Sequence, residues 1–350
     1  MTPWLLYGAY GYTGELIARE CRRQGLRPVL AGRSPERLAS LAQALELPHR
    51  AFALDDAGAL AQHLADVRLV LNCAGPFSAT AAALMDACLA ARVHYLDITG
   101  EIPVFERAQA LGAAAVDAGV VLCPGVGFDV IPTDCLAAAL KARLPDATHL
   151  VLGFDSRSSL SPGTAKTSLE RLAVGGAMRR EGRIVSVPLA ARTRRIDFGD
   201  GEKLAMCIPW GDVATAWYTT GIPNIEVYVP ASPRLVSRMR VVNALRPLLR
   251  LAPVQRLAKS YIARTQPGPT GAERARTPTH VWGEVRNAAG TIRTGRLTVA
   301  NGYDVTVAGS LAIVRSVLAQ DRARGACTPA QLMGADFICT LPGSSSLHLD

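Results

Sequence analysis

The chain has 350 residues, 49% of them hydrophobic and 19% charged, with a formal net charge of +9. That is enough apolar mass for two folded cores, and it excludes a disordered or fibrous chain. Eight cysteines without a C-x-x-C pair and six histidines without an H-x-x-x-H spacing speak against a disulfide framework and a metal centre.

The first predicted element is an apolar strand over 4–8. It runs into Gly8, Gly11 and Gly14, a G-x-x-G-x-x-G spacing, and a helix pattern follows over 13–24. Glycines after a strand and before a helix let main-chain N–H groups approach a pyrophosphate, and the helix N-terminus adds its positive dipole end. Gly8, Tyr10, Gly11, Tyr12, Thr13 and Gly14 are therefore candidate dinucleotide-binding residues. A second strand over 28–33 ends in Arg33 and Ser34, with Arg37 one helical turn later. An NAD-preferring turn places a carboxylate near this point. Here none precedes Glu36, and a guanidinium beside a hydroxyl suits a 2′-phosphate, so NADPH is the expected cofactor.

Strand patterns continue at 49–53, 67–74, 93–97 and 119–123, alternating with helix patterns at 35–46, 56–65, 78–91 and 103–117. Such alternation predicts a Rossmann-type, doubly wound parallel sheet. Ligands then bind beyond the carboxyl ends of the strands. Three segments lie there. Asn72, Ala74, Gly75, Pro76 and Phe77 form a small-residue turn suited to the nicotinamide ribose, or an ordinary connecting loop. Asp97 is a candidate to relay a proton; the alternative is that Thr99 and Glu101 only cap the next helix. Between Gly125 and Asp134, Phe128 is a candidate to cover the nicotinamide and Asp129 to face it; the alternative is a hinge with Asp134 capping a helix.

After Pro124 the rhythm changes. Strand-like runs at 148–154, 184–188, 224–229, 281–285 and 292–299 predict a second α/β domain on a mixed or antiparallel sheet. Within it Pro162-Gly163 turns the chain and Thr164 opens a helix. That helix carries Lys166, one of four lysines against 34 arginines. It is a candidate to stabilise an enolate or hold a carboxylate, or else a solvated side chain. Residues 265–280 read as an exposed loop and 303–320 as a helix returning to the first domain. The organisation expected is an NADP-binding domain over 1–125, a substrate and oligomerisation domain over 126–300, and a C-terminal segment over 301–350.

The excess charge is local. Between Glu226 and Glu273 there is no acid, while eight bases fall between Arg234 and Arg264, interleaved with leucine, valine and methionine. Two amphipathic helices broken near Pro253 are expected, with either a solvated face or a surface for an acidic acyl-carrier partner or an anionic membrane. Sparse aromatics make nucleic acid an unexpected partner. The uncharged run 69–85 is interrupted by Asn72, Gly75 and Pro76 and makes a poor membrane span. The start of the chain leads straight into a strand without a basic leader, so a cytoplasmic protein is expected, peripheral to a membrane if the basic stretch docks there. The second sheet leaves a homodimer open.

Several segments together resemble the saccharopine-dehydrogenase-like oxidoreductases, including the trans-acting enoyl reductase branch. They are Gly8 through Gly14, Ala31-Gly32-Arg33-Ser34, Asn72 through Phe77, Tyr95 through Glu101 and Pro124 through Asp134, with weaker echoes at Ser161 through Thr164, Gly268-Pro269 and Arg274. The resemblance implies an NADP-linked Rossmann domain, an α/β substrate domain, and chemistry on either a C=C or a C=N bond. None of the eight tyrosines has a lysine four positions on, so the Tyr-x-x-x-Lys mechanism of short-chain reductases is excluded. Three readings stand: NADPH-dependent reduction of an enoyl or polyketide-like acyl substrate, C=N reduction or amine oxidation in amino-acid metabolism, and an NADP-binding sensor without turnover.

Overall fold

A computed structural model describes residues 3–265, 268–319 and 324–350. The chain divides into two units, Met1–Asp129 with Tyr303–Leu332, and Val130–Gly302 with Met333–Asp350.

The first unit alternates strand and helix: β1 (Leu5–Tyr7), α1 (Tyr12–Arg23), β2 (Val29–Gly32), α2 (Pro35–Leu45), β3 (His49–Ala51), α3 (Ala57–Leu64), β4 (Leu69–Asn72), α4 (Phe77–Ala91), β5 (His94–Asp97), α5 (Ile102–Ala110), α6 (Gly112–Ala118) and β6 (Val121–Cys123). The helix expected over 103–117 is two, divided at Leu111. The second unit contributes α7 (Ile131–Arg143), β7 (Ala147–Ser156), α8 (Pro162–Val174), β8 (Gly176–Arg180), β9 (Arg183–Val187), β10 (Thr193–Asp197), β11 (Glu202–Cys207), α9 (Asp212–Thr220), β12 (Asn224–Pro230), α10 (Pro233–Leu249), α11 (Ala252–Thr265), α12 (Gly271–Arg276), β13 (Thr279–Asn287) and β14 (Ile292–Val299). The chain ends with α13 (Gly302–Ala319), β15 (Gly325–Ala326), α14 (Pro329–Met333), a 3-10 turn at Ala335–Thr340 and β16 (His348–Leu349).

Among the described residues the first sheet has seven parallel strands in the order β15-β6-β5-β4-β1-β2-β3. The order reverses between β1 and β4. Every residue of β1, β4, β5 and β6 is buried, which is why β1, β6 and the first three residues of β4 read as continuous apolar runs rather than as alternations. Helix α13 is long and apolar enough to cross a membrane by length and composition, but 44% of it is buried, with Leu311, Ile313, Val314 and Val317 inside. It serves the first unit as a core helix.

The second sheet is mixed. Its main path is β10-β11-β12-β7-β13-β14-β16, with β8 and β9 branching from β12. Within this sheet, among the described strands, only the β12–β7 pair is parallel. Helix α7 lies close on this sheet because Gly283 and Gly295 carry no side chains. A Cβ at either would come within 2.8 Å of Leu140 or Leu136. Residues 333–350 belong to this second unit, so the C-terminal segment expected to return whole to the first is shared between the two. The loop expected over 265–280 contains α12, whose cap is Thr270, and its Gln266 and Pro267 lie outside the described residues. The break between α10 and α11 falls at Arg250–Leu251. Pro253 sits in the first turn of α11, where its missing N–H costs nothing.

Candidate functional site

The site of the first unit is built where the strand order reverses, beyond the carboxyl ends of β1 and β4. Gly8 leaves β1 at φ +80°, in the left-handed region. Its N–H and that of Ala9 both donate to the Ala31 carbonyl, at 2.8 and 3.1 Å. A Cβ at Gly8 would lie 2.7 Å from the Ala74 nitrogen, and one at Gly14 would lie 2.3 Å from the Gly8 oxygen. Backbone atoms cannot swing aside as side-chain ends do, so turn, helix and neighbouring strand end close together only with glycine at both positions. Gly11 caps α1 without a side-chain hydrogen bond. The one acid of the first turn, Glu15, pairs with Arg19 at 2.7 Å. The helix thus opens on main-chain donors and a positive dipole end, and the residues present fit a dinucleotide pyrophosphate.

Tyr10 reaches from this turn to the end of β2. Its ring covers Gly32, where a Cβ would meet it at 2.5 Å. Its hydroxyl accepts from the N–H groups of Arg33 and Ser34, both at 3.1 Å. The Arg37 guanidinium stacks on the ring, 4.5 Å from its centre, and donates to the Tyr10 carbonyl at 3.2 Å. Ser34 also caps α2 by accepting from the Arg37 N–H. The Arg33 side chain is exposed. One stacked guanidinium, a serine and the main chain of the exposed Arg33 are therefore arranged around one tyrosine, a set that fits a 2′-phosphate. Tyr12 packs edge-on against Tyr303 of α13, with ring centres 5.0 Å apart; Thr13 is half-buried beside it.

Beyond β4, the side chains expected at the cofactor turn inward. Asn72 is fully buried: it accepts from the Ala74 N–H at 2.9 Å and donates to Thr80 and to the Tyr95 hydroxyl. Phe77 is buried in the core at the start of α4. These two hold the loop in shape, and Ala74, Gly75 and Pro76 remain as its outer, partly accessible surface, with a cis bond between Gly75 and Pro76.

Asp97, expected to relay a proton, is fully buried. One oxygen accepts from the N–H groups of Thr99 and Gly125, at 3.0 and 2.9 Å, and the other from the Tyr95 hydroxyl at 2.8 Å. Burial pushes this carboxyl up from 3.8 to about 7, against the lowering effect of those donors. Its geometry ties the end of β5 to the segment after β6 and gives it no open path to a substrate. Glu101 does not cap α5. Its carboxylate reaches back to α4 and accepts from the N–H groups of Phe77 and Ser78, both at 2.8 Å.

The loop after β6 rests on α13. The Phe128 N–H donates to Thr306 at 3.0 Å, and a Cβ at Gly127 would lie 2.9 Å from the Thr306 methyl. Phe128 and Asp129 are half-buried at the end of this loop. In the second unit Asp134 does not act as a cap. It is buried in the first turn of α7, and the Thr219 hydroxyl of α9 donates to it at 2.5 Å. Lys166 is half-buried on α8, a helix that begins at Pro162 and is capped by Ser161. The second unit also holds a hollow of about 580 Å³ on its sheet. Both of its carboxylates are paired: Glu226 accepts from Arg180 and Arg192, each at 2.9 Å, and from Tyr228, while Glu284 pairs with Arg194; Arg240 and Arg286 also line it.

Among the described residues no cluster of His, Cys, Asp and Glu fits a metal ion. Thr306 had no signal as a positioning residue in the sequence, because it meets Phe128 across 178 positions of the chain, and Tyr95 meets Asn72 only across the sheet.

The saccharopine dehydrogenase NADP binding domain family matches residues 4–123. A Mycobacterium tuberculosis protein named as a trans-acting enoyl reductase is 32% identical over 185 residues, which span 48% of this chain and 43% of that relative, less than half the length of either. A trans-acting enoyl reductase of Mycobacterium bovis is 27% identical over 97% of this chain and 95% of its own. The apo saccharopine dehydrogenase (L-Glu forming) of Saccharomyces cerevisiae superposes with a TM-score of 0.65 at 10% identity, covering both chains completely, so the fold is shared. Residues 4–123 thus match the NADP binding domain family of saccharopine dehydrogenases, and the glycine cradle with its Arg33 rim lies within that match.

Proposed function

We propose that this protein is an NADPH-dependent reductase of an activated double bond, acting on the C=C of an enoyl or polyketide-like acyl substrate. The observation that carries this reading is the similarity along nearly the whole chain to trans-acting enoyl reductases. When bound, the cofactor supplies a hydride. The chain's own part is to hold and orient. Gly8, Gly11 and Gly14 seat the pyrophosphate; Arg33, Ser34 and Arg37, fixed by Tyr10, hold the 2′-phosphate. Ala74, Gly75 and Pro76 border the ribose, and Phe128 and Asp129 flank the nicotinamide. Lys166, read from the sequence as a candidate to stabilise an enolate, is tested for that role by substitution, charge stabilisation of that kind being worth about 100-fold or more in rate.

The test is NADPH consumption against a panel of enoyl thioesters, imines and ketones, with wild type and Lys166→Ala. Turnover of enoyl thioesters that falls by about 100-fold in the variant, with cofactor affinity unchanged, supports the reading. Turnover confined to imines assigns C=N chemistry instead. Tight NADPH binding with no turnover across the panel assigns a non-catalytic role.

A further inference from the structure

Helices α10 and α11 are apolar on the wrong side. Their inner side is well secured. Val236 is buried with Ala190 and Ala231, and Asn243 exchanges hydrogen bonds with both main-chain groups of Leu189, at 2.8 and 3.2 Å. Arg246 and Arg250 donate to the last carbonyls of α8, those of Ala173 and Val174, where cations are favoured by the helix dipole. Gly175 makes room for this: a Cβ there would lie 2.5 Å from the Arg246 guanidinium. Lys259 of α11 pairs with Glu170 of α8.

The outer side has no such partners. Positions 234, 238, 241, 245 and 248 follow the four-and-three spacing of a single helical face. They carry Arg234, Arg238, Val241, Leu245 and Leu248, all exposed. Leu251 in the connection is exposed as well, and on α11 Leu257 and Tyr261, four apart, are 75% and 68% exposed. Seven of the eleven large apolar side chains exposed among the described residues fall between 235 and 261. An apolar surface of this concentration is unusual on a solvated monomer.

We infer that the outer face of α10 and α11 docks on an anionic lipid surface. Charge selects this occupant. From residue 227 to 272 there is no acid to meet lipid phosphates with like charge. Arg246, Arg250 and Lys259 are spent on α8 and Arg240 lines the hollow on the sheet, while Arg234, Arg238, Arg256 and Arg264 are exposed. Leucine, valine and tyrosine between arginines are the composition of a helix lying in a bilayer interface. The inference is independent of which bond the protein reduces, and the residues involved lie outside the cofactor cradle.

The experiment is co-sedimentation of the full chain with vesicles of pure phosphatidylcholine and with vesicles containing about a quarter phosphatidylglycerol. Wild type is expected to bind the anionic vesicles, weakly the neutral ones, and to be released by salt. Each arginine near such a surface is worth roughly five-fold in affinity, so Arg234→Gln/Arg238→Gln is expected to lose about 25-fold. Val241→Ser/Leu245→Ser/Leu248→Ser is expected to lose binding with its charge unchanged. Both variants should retain wild-type NADPH affinity, a readout that reports intact folding. Absence of binding to anionic vesicles overturns the inference, as does equal binding by wild type and both variants. Saturable capture of an acidic acyl-carrier protein without vesicle binding also overturns it and gives the face to a protein partner.

Discussion

Replacing Asp97 by asparagine tests the buried network at the end of β5. The carboxyl is fully buried and displaced from 3.8 to about 7 by loss of solvent. The folded protein therefore holds this proton more tightly than the unfolded chain does. The stability it contributes is fully present below the ordinary carboxyl value and is lost as pH rises toward 7. The slope over that window is about 1.4 kcal/mol per pH unit, or roughly 3 kcal/mol between pH 5 and 7. Groups held low by partners, such as Glu20, Asp66 and Asp200, are already ionised across this range and contribute a constant. His149 is lowered and gains stability in the opposite direction, which is why the difference between two proteins is the proper readout. Asparagine still accepts from Thr99 and Gly125 but deprives the Tyr95 hydroxyl of its acceptor, a cost of about 1–3 kcal/mol that does not depend on pH. Urea unfolding of wild type and Asp97→Asn from pH 5 to 8 should show the variant gaining on wild type as pH rises, levelling off above 7. A difference that stays flat over this range would refute the argument, because it would mean that Asp97 titrates as it does in water.

Arg33→Ala should cost NADPH about 10- to 100-fold in affinity, the range of a hydrogen-bonded charge, and leave NADH affinity unchanged; fluorescence titration of both cofactors reads the ratio directly. Tyr10→Phe removes the acceptor shared by the Arg33 and Ser34 N–H groups while keeping the ring over Gly32, so NADPH affinity should fall by a smaller factor, roughly 3- to 10-fold, with thermal stability lowered by no more than about 1 kcal/mol. Gly14→Ala drives a Cβ to 2.3 Å from the Gly8 oxygen and 3.0 Å from the Ala9 Cα. It should destabilise by about 3 kcal/mol or more and abolish cofactor binding, measured by the urea midpoint and the same titration.

The first unit was legible where the determinants are local. Glycine spacing, the basic end of β2 and the strand–helix rhythm all lie within a few residues of the feature they specify. The second unit was less so. The strands β8, β10 and β11 escaped notice because they carry arginine, lysine and glutamate where a pattern reader expects apolar residues. Their basic side chains are matched only after folding, Arg180 with Glu226 and Arg194 with Glu284, partners 46 and 90 positions away. Asn72 and Asp97, read as cofactor or substrate contacts, are both fully buried and bonded to Tyr95. Both sit at strand ends where ligands bind, but Tyr95, which joins them, is recognisable as their partner only when β4 and β5 lie side by side.

Glu101 shows how such a misplaced reading bears on the cofactor. Two helices of the first unit begin beside the switch point, α1 after β1 and α4 after β4, and neither has a side-chain cap from its own N-cap residue. A helix start of this kind attracts an anion, so two sites compete in principle for one pyrophosphate. The carboxylate of Glu101 fills the α4 start with two hydrogen bonds to its first N–H groups. At α1 the only first-turn acid is drawn off by Arg19. The protein thus supplies its own anion to one helix and leaves the other to the ligand. This favours the pyrophosphate position proposed above, on the Gly8–Gly14 side, the same side as the Tyr10–Arg33 rim that fits the 2′-phosphate.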